Sequence, residues 1–277
     1  MVTPDDQVRQ LERRAKEIRG LVLTTVHGAG AGHTGGSLSI ADILSVLYFH
    51  AMDVDPNRPD WPERDRFVLS KGHASVALYA ALCLKGYFGH EWLCEFDRAD
   101  GRLQGHPDML KTPGVDMSTG SLGQGLSVGI GMALGRDQRG MNFHVYVLLG
   151  DGEIQEGQIW EAAMYAGSHK VKKLVAIVDY NQLQLTGWTK DTLDLEPLED
   201  KWRAFGWNVF SCDGHDISCL TRSMDEARKF EGGPSVVIAR TLKGHGVSFM
   251  AGNVSWHAKA PTDDELRQAL EELECER

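Results

Sequence analysis

The sequence predicts a single α/β domain in which a mainly parallel sheet lies between two layers of helices. Two runs rich in β-branched residues, at 145–149 and 174–178, have the composition of buried parallel strands. Residues 160–169 between them have the pattern of a crossover helix, which completes a βαβ unit. Candidate strands alternate with candidate helices along the chain, as a three-layer α/β/α fold requires.

Apolar periodicity assigns the elements around this unit. Residues 4–26 predict a first helix, with Asp5 and Asp6 at the end that the helix dipole favours. A glycine-rich loop at 27–36 and a helix after Ser39 follow. The remaining candidates are a buried strand leading into a helix at 65–82, a short helix at 90–96, helices at 127–135, 196–205 and 217–230, strands at 207–210 and 235–239, and a capped surface helix after residue 262.

Length, charge and cysteine usage limit the class of protein. We expect one domain over residues 1–277, and a hydrophobic content of 42% supports a sizeable core. No apolar run reaches the length of a membrane span, and the net charge of −10 argues against nucleic acid as a partner. The N-terminus lacks the features of a secretory signal. Cysteines that are odd in number and without CxxC spacing indicate reduced thiols in a cytoplasmic protein: Cys83, Cys94, Cys212, Cys219 and Cys275.

Oxygen-bearing groups follow the two central strands. Asp151 comes just after the first strand and Asn181 just after the second, where open α/β sheets place their ligands. With the carbonyl of Leu183 they offer a ligand set that suits Mg²⁺ or Ca²⁺. Glycines at 150 and 152 leave room for a diphosphate to approach the backbone. Because Asp-Gly is also a common turn signal, this string alone leaves a simple turn open.

Longer strings carry a family resemblance. A GDG string with Asn181 thirty residues after Asp151 resembles the thiamine diphosphate signature, and GDGEIQEG, which contains Glu156, is similar to transketolases in particular. The strings GHTGGSLSIADIL, DRFVLSKGHAS, STGSLGQG and KGHGVSFM with WHAKAP resemble loops of the same family over residues 10–261. Most relatives carry proline where this chain has Thr34.

The resemblance implies a role for each loop. His33 and His257 would bind the hydroxyls of a donor sugar, and His73 and His106 would assist proton transfer. Glu156 would help to link paired active sites, although an acidic residue here is also a common helix-start charge. A divalent metal, Mg²⁺ with Ca²⁺ or Mn²⁺ as substitutes, would be held by Asp151, Asn181 and Leu183. Residues implied to bind thiamine diphosphate are His73, Gly120, Ser121, Leu122, Asp151, Gly152, Glu153, Asn181 and His257.

The implied activity is that of a transketolase N-terminal subunit with a thiamine diphosphate-binding fold. Such an enzyme transfers a two-carbon ketol group from a phosphorylated or otherwise anionic ketose to an aldose. The pyrimidine-binding and C-terminal domains of the family are expected on a partner chain in an α₂β₂ heterotetramer, and this chain alone would be inactive. The DGHD string is expected at a structural turn, so His215 and Asp216 are not assigned a catalytic role.

Two alternatives remain. The chain could be another thiamine diphosphate enzyme component, either similar to deoxyxylulose-phosphate synthase or to a ketoacid dehydrogenase. It could also be a non-catalytic protein that holds the cofactor or regulates a partner. Metal and cofactor binding do not separate the catalytic from the non-catalytic case, whereas reconstitution with a second chain does. The sequence does not indicate which sugars are used.

Overall fold

A five-stranded parallel sheet forms the centre of the computed structural model, which describes residues 3–274. The strands are β1 (Arg66–Leu69), β2 (Val145–Gly150), β3 (Leu174–Tyr180), β6 (Asn208–Asp213) and β7 (Ser235–Arg240). Their order across the sheet is β1-β2-β3-β7-β6, and every neighbouring pair is parallel. A two-stranded antiparallel hairpin, β4 (Leu183–Gln184) and β5 (Gly187–Trp188), follows β3. The predicted parallel α/β sheet is confirmed.

Helices cover both faces of the sheet. They are α1 (Pro4–Ala29), α2 (Thr34–Leu38), α3 (Ala41–Val46), α4 (Ser75–Lys85), α5 (Gly125–Gln138), α6 (Gly157–Ser168), α7 (Thr189–Thr192), α8 (Leu198–Ala204), α9 (Ile217–Lys229) and α10 (Asp263–Glu272). One buried cluster joins alternate sheet residues such as Leu148 and Ile177 to α1, α3, α4 and α9. The other joins residues such as Val147 and Val178 to α5, α6 and α8. Side chains that alternate between faces along a strand produce these two separate cores.

The strand register brings the loops of the central unit together. β2 and β3 pair from Val145 opposite Leu174 to Gly150 opposite Asp179, so that both strands end at the same edge of the sheet. The chain order reverses between β3 and β7, which makes this edge a topological switch point. Ligands of open α/β sheets bind in the crevice at such a point.

The predicted glycine-rich loop at 27–36 is shorter than expected. Helix α1 continues to Ala29 and ends at Gly30, whose φ of 68° suits a left-handed cap. Helix α2 then begins at Thr34, so residues 35 and 36 are helical. A Cβ atom on Gly35 would lie 2.9 Å from the carbonyl oxygen of Trp256, which shows that glycine here permits close packing. Gly35 therefore belongs to a packed helix and not to the predicted loop.

Other element boundaries differ by a few residues from the predictions. Helix α6 begins at Gly157, three residues before the predicted start at 160. The capping box predicted before the last helix is present between Thr262 and Glu265. None of the helices in the described part of the chain combines the length and the hydropathy needed to span a bilayer. Four of the five cysteines are free thiols, and Cys275 lies outside the described residues.

Candidate active site

A cavity of about 420 Å³ opens at the carboxyl edge of the sheet. Loops that follow β1, β2, β3 and β7 line it, together with the loop before α2 and the long loop before α5. Of the residues predicted for the site, Ser121 is exposed and is not among those that line the cavity. The predicted residues that do line it are His33, His73, His106, Gly120, Leu122, Asp151, Gly152, Glu153, Glu156, Asn181, Leu183 and His257.

The four predicted histidines converge from distant parts of the chain. The ring centroid of His33 lies 5.1 Å from that of His73, 5.5 Å from that of His257 and 6.4 Å from that of His106. The rings of His73 and His257 are also 5.5 Å apart. Thr34, the departure from the family pattern, donates a hydrogen bond from Oγ1 to the carbonyl of Lys259 at 2.6 Å. That bond ties the His33 loop to the His257 loop.

Burial and positive neighbours keep three of these imidazoles neutral. Burial and the nearby Lys71 lower the pKa of His73 to about 2. Burial and the nearby Lys243 lower the pKa of His257 to about 3, and burial, His106 and Lys243 also lower the pKa of His33. A neutral imidazole has one nitrogen that donates and one that accepts a hydrogen bond. The cluster can therefore both donate to and accept from sugar hydroxyls near neutral pH.

Asp151 is held by backbone groups of both central loops. Its Oδ1 accepts from the N–H of Gly152 at 2.7 Å, and its Oδ2 accepts from the N–H of Gln182. Gln182 has a φ of 63°, so the chain makes a tight left-handed turn here. Burial and the neighbouring Asp179 raise the pKa of Asp151 to about 7, although those two hydrogen bonds oppose the rise. A cation bound nearby would stabilise the ionised form of this buried carboxylate.

A second carboxylate, Asp179, orients the amide of Asn181. Asp179 Oδ2 accepts from Asn181 Nδ2 at 2.9 Å and from Lys71 Nζ at 2.6 Å, within a completely buried cluster. The amide nitrogen is thereby committed to Asp179, which leaves Asn181 Oδ1 as an acceptor on the other side. That oxygen accepts from the N–H of Leu183 at 3.0 Å and retains a second lone pair.

Two buried lysines, Lys71 and Lys243, were not singled out from the sequence. They are 2% and 3% exposed and both line the cavity. Lys243 Nζ donates to the carbonyl of Leu183 at 2.7 Å and lies 3.0 Å from His257 Nδ1. Burial and Lys71 lower the pKa of Lys243 to about 8. Lys243 thus places a positive charge inside the cavity, beside carboxylates that include Asp151, where an anionic ligand could contact it.

The groups around the cavity fit a diphosphate with a hard cation. Carboxylate, amide and carbonyl oxygens of Asp151, Asn181 and Leu183 are the donors that such a cation prefers, and the carbonyl of Leu183 has a lone pair beyond the one facing Lys243. In the described chain, Gly123 is the one residue from 120 to 124 whose N–H donates a hydrogen bond. The N–H groups of Gly120 and Leu122, which line the cavity, are therefore available to an anion. Gln184 Oε1, from another residue that lines the cavity, is also buried without a described partner.

Comparison with known proteins gives the family. The thiamine diphosphate-binding domain model of transketolase matches residues 11–276. The 6-deoxy-6-sulfo-D-fructose transketolase subunit SqwG of a Clostridium species is 48% identical, over 98% of this chain and 98% of its own length. The chain belongs to the transketolase family. An apulose-4-phosphate transketolase subunit from Actinobacillus succinogenes is another relative of this transketolase chain, 44% identical over 96% of the chain and 97% of its own length.

Solved transketolases share the fold. The crystal structure of transketolase from Campylobacter jejuni matches with a TM-score of 0.92 and 33% identity over 97% of this chain. The match covers 43% of that enzyme, and human transketolase, 36% identical, is likewise covered to 43%. This transketolase chain therefore spans less than half the length of those relatives and nearly the whole length of the relatives named as subunits.

Proposed function

We propose that this chain is the diphosphate-binding subunit of a two-chain transketolase that moves a two-carbon ketol group from an anionic ketose to an aldose. The observation that carries the proposal is the convergence of four histidines beside the Asp151 and Asn181 oxygens in one cavity. Thiamine diphosphate binding is a property of the matched family domain. The choice of Mg²⁺ as the metal and the place of action in the cytoplasm are parts of this proposal.

The residues divide into three groups by what their atoms offer. Asp151, Asn181 and the carbonyl of Leu183 would hold the cation, with the free N–H groups at 120–122 on the diphosphate. Lys243 would share the Leu183 carbonyl with the cation or turn toward the anion. Glu156 is exposed at the start of α6 and lines the cavity, where it would approach a second active site. Gly152, Leu122 and Ser121 would contribute backbone contacts.

Bound thiamine diphosphate supplies the carbanion chemistry that cleaves a ketose and carries two carbons to an aldose. His33 and His257 would hold donor hydroxyls, because their rings lie side by side on the cavity wall, edge to face with centroids 5.5 Å apart. His73 and His106 would hold and return the proton that leaves and rejoins a sugar hydroxyl, and His73 would also contact the diphosphate. The ring of His73 is neutral and so able to accept a proton, and the negative charge of a bound diphosphate would raise its pKa toward the range that proton transfer needs. The buried lysines favour that neutral state.

A second chain completes the site in this proposal. Two relatives that this chain covers nearly end to end, SqwG and the protein from Actinobacillus succinogenes, are named as subunits. We infer that residues 1–277 form one domain and that the pyrimidine-binding and C-terminal domains lie on the partner, in an α₂β₂ heterotetramer. The partner would bring the glutamate that activates the aminopyrimidine ring and most of the pocket for the distal end of the sugar.

The two relatives described above are named for sugars that carry a negatively charged group. SqwG is named for a sulfonated fructose, and the relative from Actinobacillus succinogenes is named for a sugar phosphate. We propose that this chain likewise acts on a ketose with a negatively charged distal group. The competing functions are transfer of a two-carbon unit from pyruvate with release of CO₂, as in a deoxyxylulose-phosphate synthase, oxidative use of a ketoacid, and cofactor binding without catalysis.

Reconstitution tests the proposal. The chain is co-expressed with the pyrimidine-binding subunit of a split transketolase, and the purified complex is screened with a sulfonated ketose, a ketose phosphate, a neutral ketose and pyruvate. We expect ketol transfer from an anionic ketose that requires both chains, thiamine diphosphate and a divalent metal. An Asp151→Asn complex should lose at least about 100-fold in rate, since the cation would lose its carboxylate.

Three results would contradict the proposal. Full turnover by this chain alone would remove the need for a partner. Turnover of pyruvate without turnover of any ketose would favour the other thiamine diphosphate enzymes. A complex that binds the cofactor but turns over none of the four donors would favour the non-catalytic role.

A further inference from the structure

Glu153 is a buried carboxylate for which the proposed reaction has no use. It is 3% exposed and begins the single helical turn Glu153–Gln155 after the GDG string. The family resemblance implies that it binds the cofactor. A carboxylate facing a diphosphate would instead repel it, unless a cation lay between them. The contacts of Glu153 indicate another role.

Both carboxylate oxygens of Glu153 are engaged, by two other loops and by the last residue of β2. Oε1 accepts from the N–H of Gly123 at 3.0 Å and from the hydroxyl of Ser70, and Oε2 accepts from the N–H of Gly150 at 3.0 Å. Ser70 begins the loop that carries His73, Gly123 belongs to the loop with the free N–H groups, and Gly150 precedes Asp151. One side chain therefore joins the three loops that surround the predicted diphosphate site.

The loop at 120–124 depends on this contact for its position. In the part of the chain that the structure describes, the Gly123 N–H is the one backbone donor of this loop that is hydrogen-bonded, and its acceptor is Glu153. Gly120 and Gly123 have φ values of 151° and 86°, which glycine adopts readily. Fixing a glycine in one conformation nevertheless costs more conformational entropy than fixing any other residue. A loop that gains so little from its own hydrogen bonds needs an external anchor.

Close packing makes the three loops a single unit. A Cβ atom on Gly72 would lie 2.7 Å from Thr119 Oγ1 and 2.8 Å from the nitrogen of Gly120, and one on Gly125 would lie 2.3 Å from Ser70 Oγ. The His73 loop thus lies directly on the 120–124 loop. A displacement of the backbone at 119–125 would be transmitted to Ser70 and Gly72, because these contacts leave no room for even a Cβ atom.

We propose that Glu153 is a positioning residue that holds the 120–124 loop, the Ser70 loop and Gly150 in the geometry that receives the diphosphate, without itself contacting the cofactor. The inference rests on the proposed function for the identity of the ligand. The hydrogen-bonded connection between the loops stands on the contacts of Glu153 alone.

Hydrogen–deuterium exchange of the full chain without cofactor tests the connection directly. The variants are Glu153→Ala, which removes all three acceptor contacts, and Glu153→Gln, which keeps one acceptor oxygen and the side-chain shape. Glu226→Gln, an exposed site on α9, is the control for loss of one negative charge. We expect the hydrogen-bonded amides in peptides covering 118–125, those of Thr119 and Gly123, to exchange about tenfold faster in Glu153→Ala and less so in Glu153→Gln, with residues 145–149 of β2 and all of β3 unchanged.

Calorimetric titration of the reconstituted two-chain complex with thiamine diphosphate and Mg²⁺ supplies the second readout. The dissociation constant should rise about tenfold in Glu153→Ala, with partial rescue in Glu153→Gln, while KM for the sugar at saturating cofactor stays unchanged. The Glu226→Gln complex should match the wild type in both experiments. If the wild-type complex fails to bind the cofactor, the proposed function fails, and the exchange experiment still decides the connection.

Three results would overturn the inference. Weaker cofactor binding without faster exchange at 118–125 would show that Glu153 contacts the cofactor directly. Faster exchange throughout the sheet, together with a lower melting temperature in both variants, would show that Glu153 only stabilises the fold. Unchanged exchange and unchanged affinity would show that the three hydrogen bonds do not position the loops.

Discussion

At the scale of single residues, burial and two buried lysines together keep three imidazoles of the histidine cluster neutral. Lys71 is paired with Asp179, whereas Lys243 contacts the carbonyl of Leu183 and His257. Burial first, and then both ammonium groups, lower the pKa of His33, His73 and His257. The site therefore offers an ammonium group to an anionic ligand and neutral imidazoles to hydroxyl groups.

His33 provides the first prediction at this scale. We expect His33→Ala in the reconstituted complex to reduce kcat/KM for the ketose donor about 100-fold, because an imidazole that holds donor hydroxyls is lost. The affinity for thiamine diphosphate, measured by calorimetry, should stay unchanged. His90→Ala, at an exposed histidine outside the cavity, is the control. An equal loss of donor use and of cofactor affinity would contradict the assigned role.

A second cluster contacts the loop that carries Lys243. It is formed by Asp42, His215, His245 and Arg19. Arg19 and Asp42 form a buried ion pair, His215 Nδ1 donates to Asp42 at 2.7 Å, and His215 Nε2 accepts from the N–H of Leu242 at 2.8 Å. The rings of His215 and His245 stack at 3.5 Å. Their ligand atoms are close enough for a metal, but both nitrogens of His215 are engaged and Arg19 already neutralises Asp42. The cluster instead fixes the Lys243 loop.

His245 gives a prediction on pH dependence. Burial, Arg19 and His215 lower its pKa to about 4 from the ordinary value of 6.5, against the opposite influence of Asp42 and Asp213. Because the folded-state pKa is depressed, the unfolded chain takes up the proton first, and stability present above pH 6.5 is lost as the pH falls toward 4. His245→Phe keeps a flat ring against His215 and should make the decline of melting temperature in this window shallower.

Thermal melts of the full chain between pH 7.5 and 4.5 measure this effect. Part of the decline should remain in the variant, since the pKa values of His73 and His257 are also depressed. A variant that loses stability with acid as steeply as the wild type would contradict the assignment to His245.

At the scale of elements, the packing of α6 against the end of α8 depends on one glycine. A Cβ atom on Gly167 would lie 1.7 Å from the carbonyl oxygen of Phe205, so an alanine there must displace the backbone. We expect Gly167→Ala to lower the free energy of unfolding by about 2 kcal/mol or more in urea titrations. Gly135→Ala in α5, where a Cβ atom would meet nothing within 4 Å, should instead raise it by about 0.5–1 kcal/mol.

These two substitutions are matched, because each adds one methyl group to a helical glycine. If both variants had the same stability, the close approach of α6 to Phe205 would be contradicted.

The elements that could be predicted from the sequence are those with strong local patterns. β2 and β3 are buried on both faces, so their apolar runs are continuous, and α1 and α10 carry recognisable caps. The hairpin of β4 and β5 could not be predicted because two-residue strands leave no periodic signal. Helix α2 has a glycine pair typical of a loop, and the close approach of Gly35 to Trp256, which explains one of the two glycines, is not visible in any local pattern.

At the scale of the whole molecule, the site joins six segments that are far apart in sequence. The sequence strings predicted which loops carry His33, His73, His106 and His257, and parallel strands explain why Asp151 and Asn181 lie at one edge. Lys71 and Lys243 lie inside those strings, but nothing local assigns them to the site. Lysine is usually a solvated residue, and only tertiary packing determines that it is buried. The role of Asp179 likewise depends on contacts between strands and loops.

The central claim is that Asp151 and Asn181 hold a divalent cation that binds the diphosphate of the cofactor. Crystals of the full chain grown with thiamine diphosphate and Mn²⁺, with diffraction measured at the manganese absorption edge, test it most directly. We predict one anomalous peak about 2 Å from Asp151 and Asn181 Oδ1, bridged to the diphosphate. A diphosphate bound elsewhere, or no ion between these two side chains, would contradict the account.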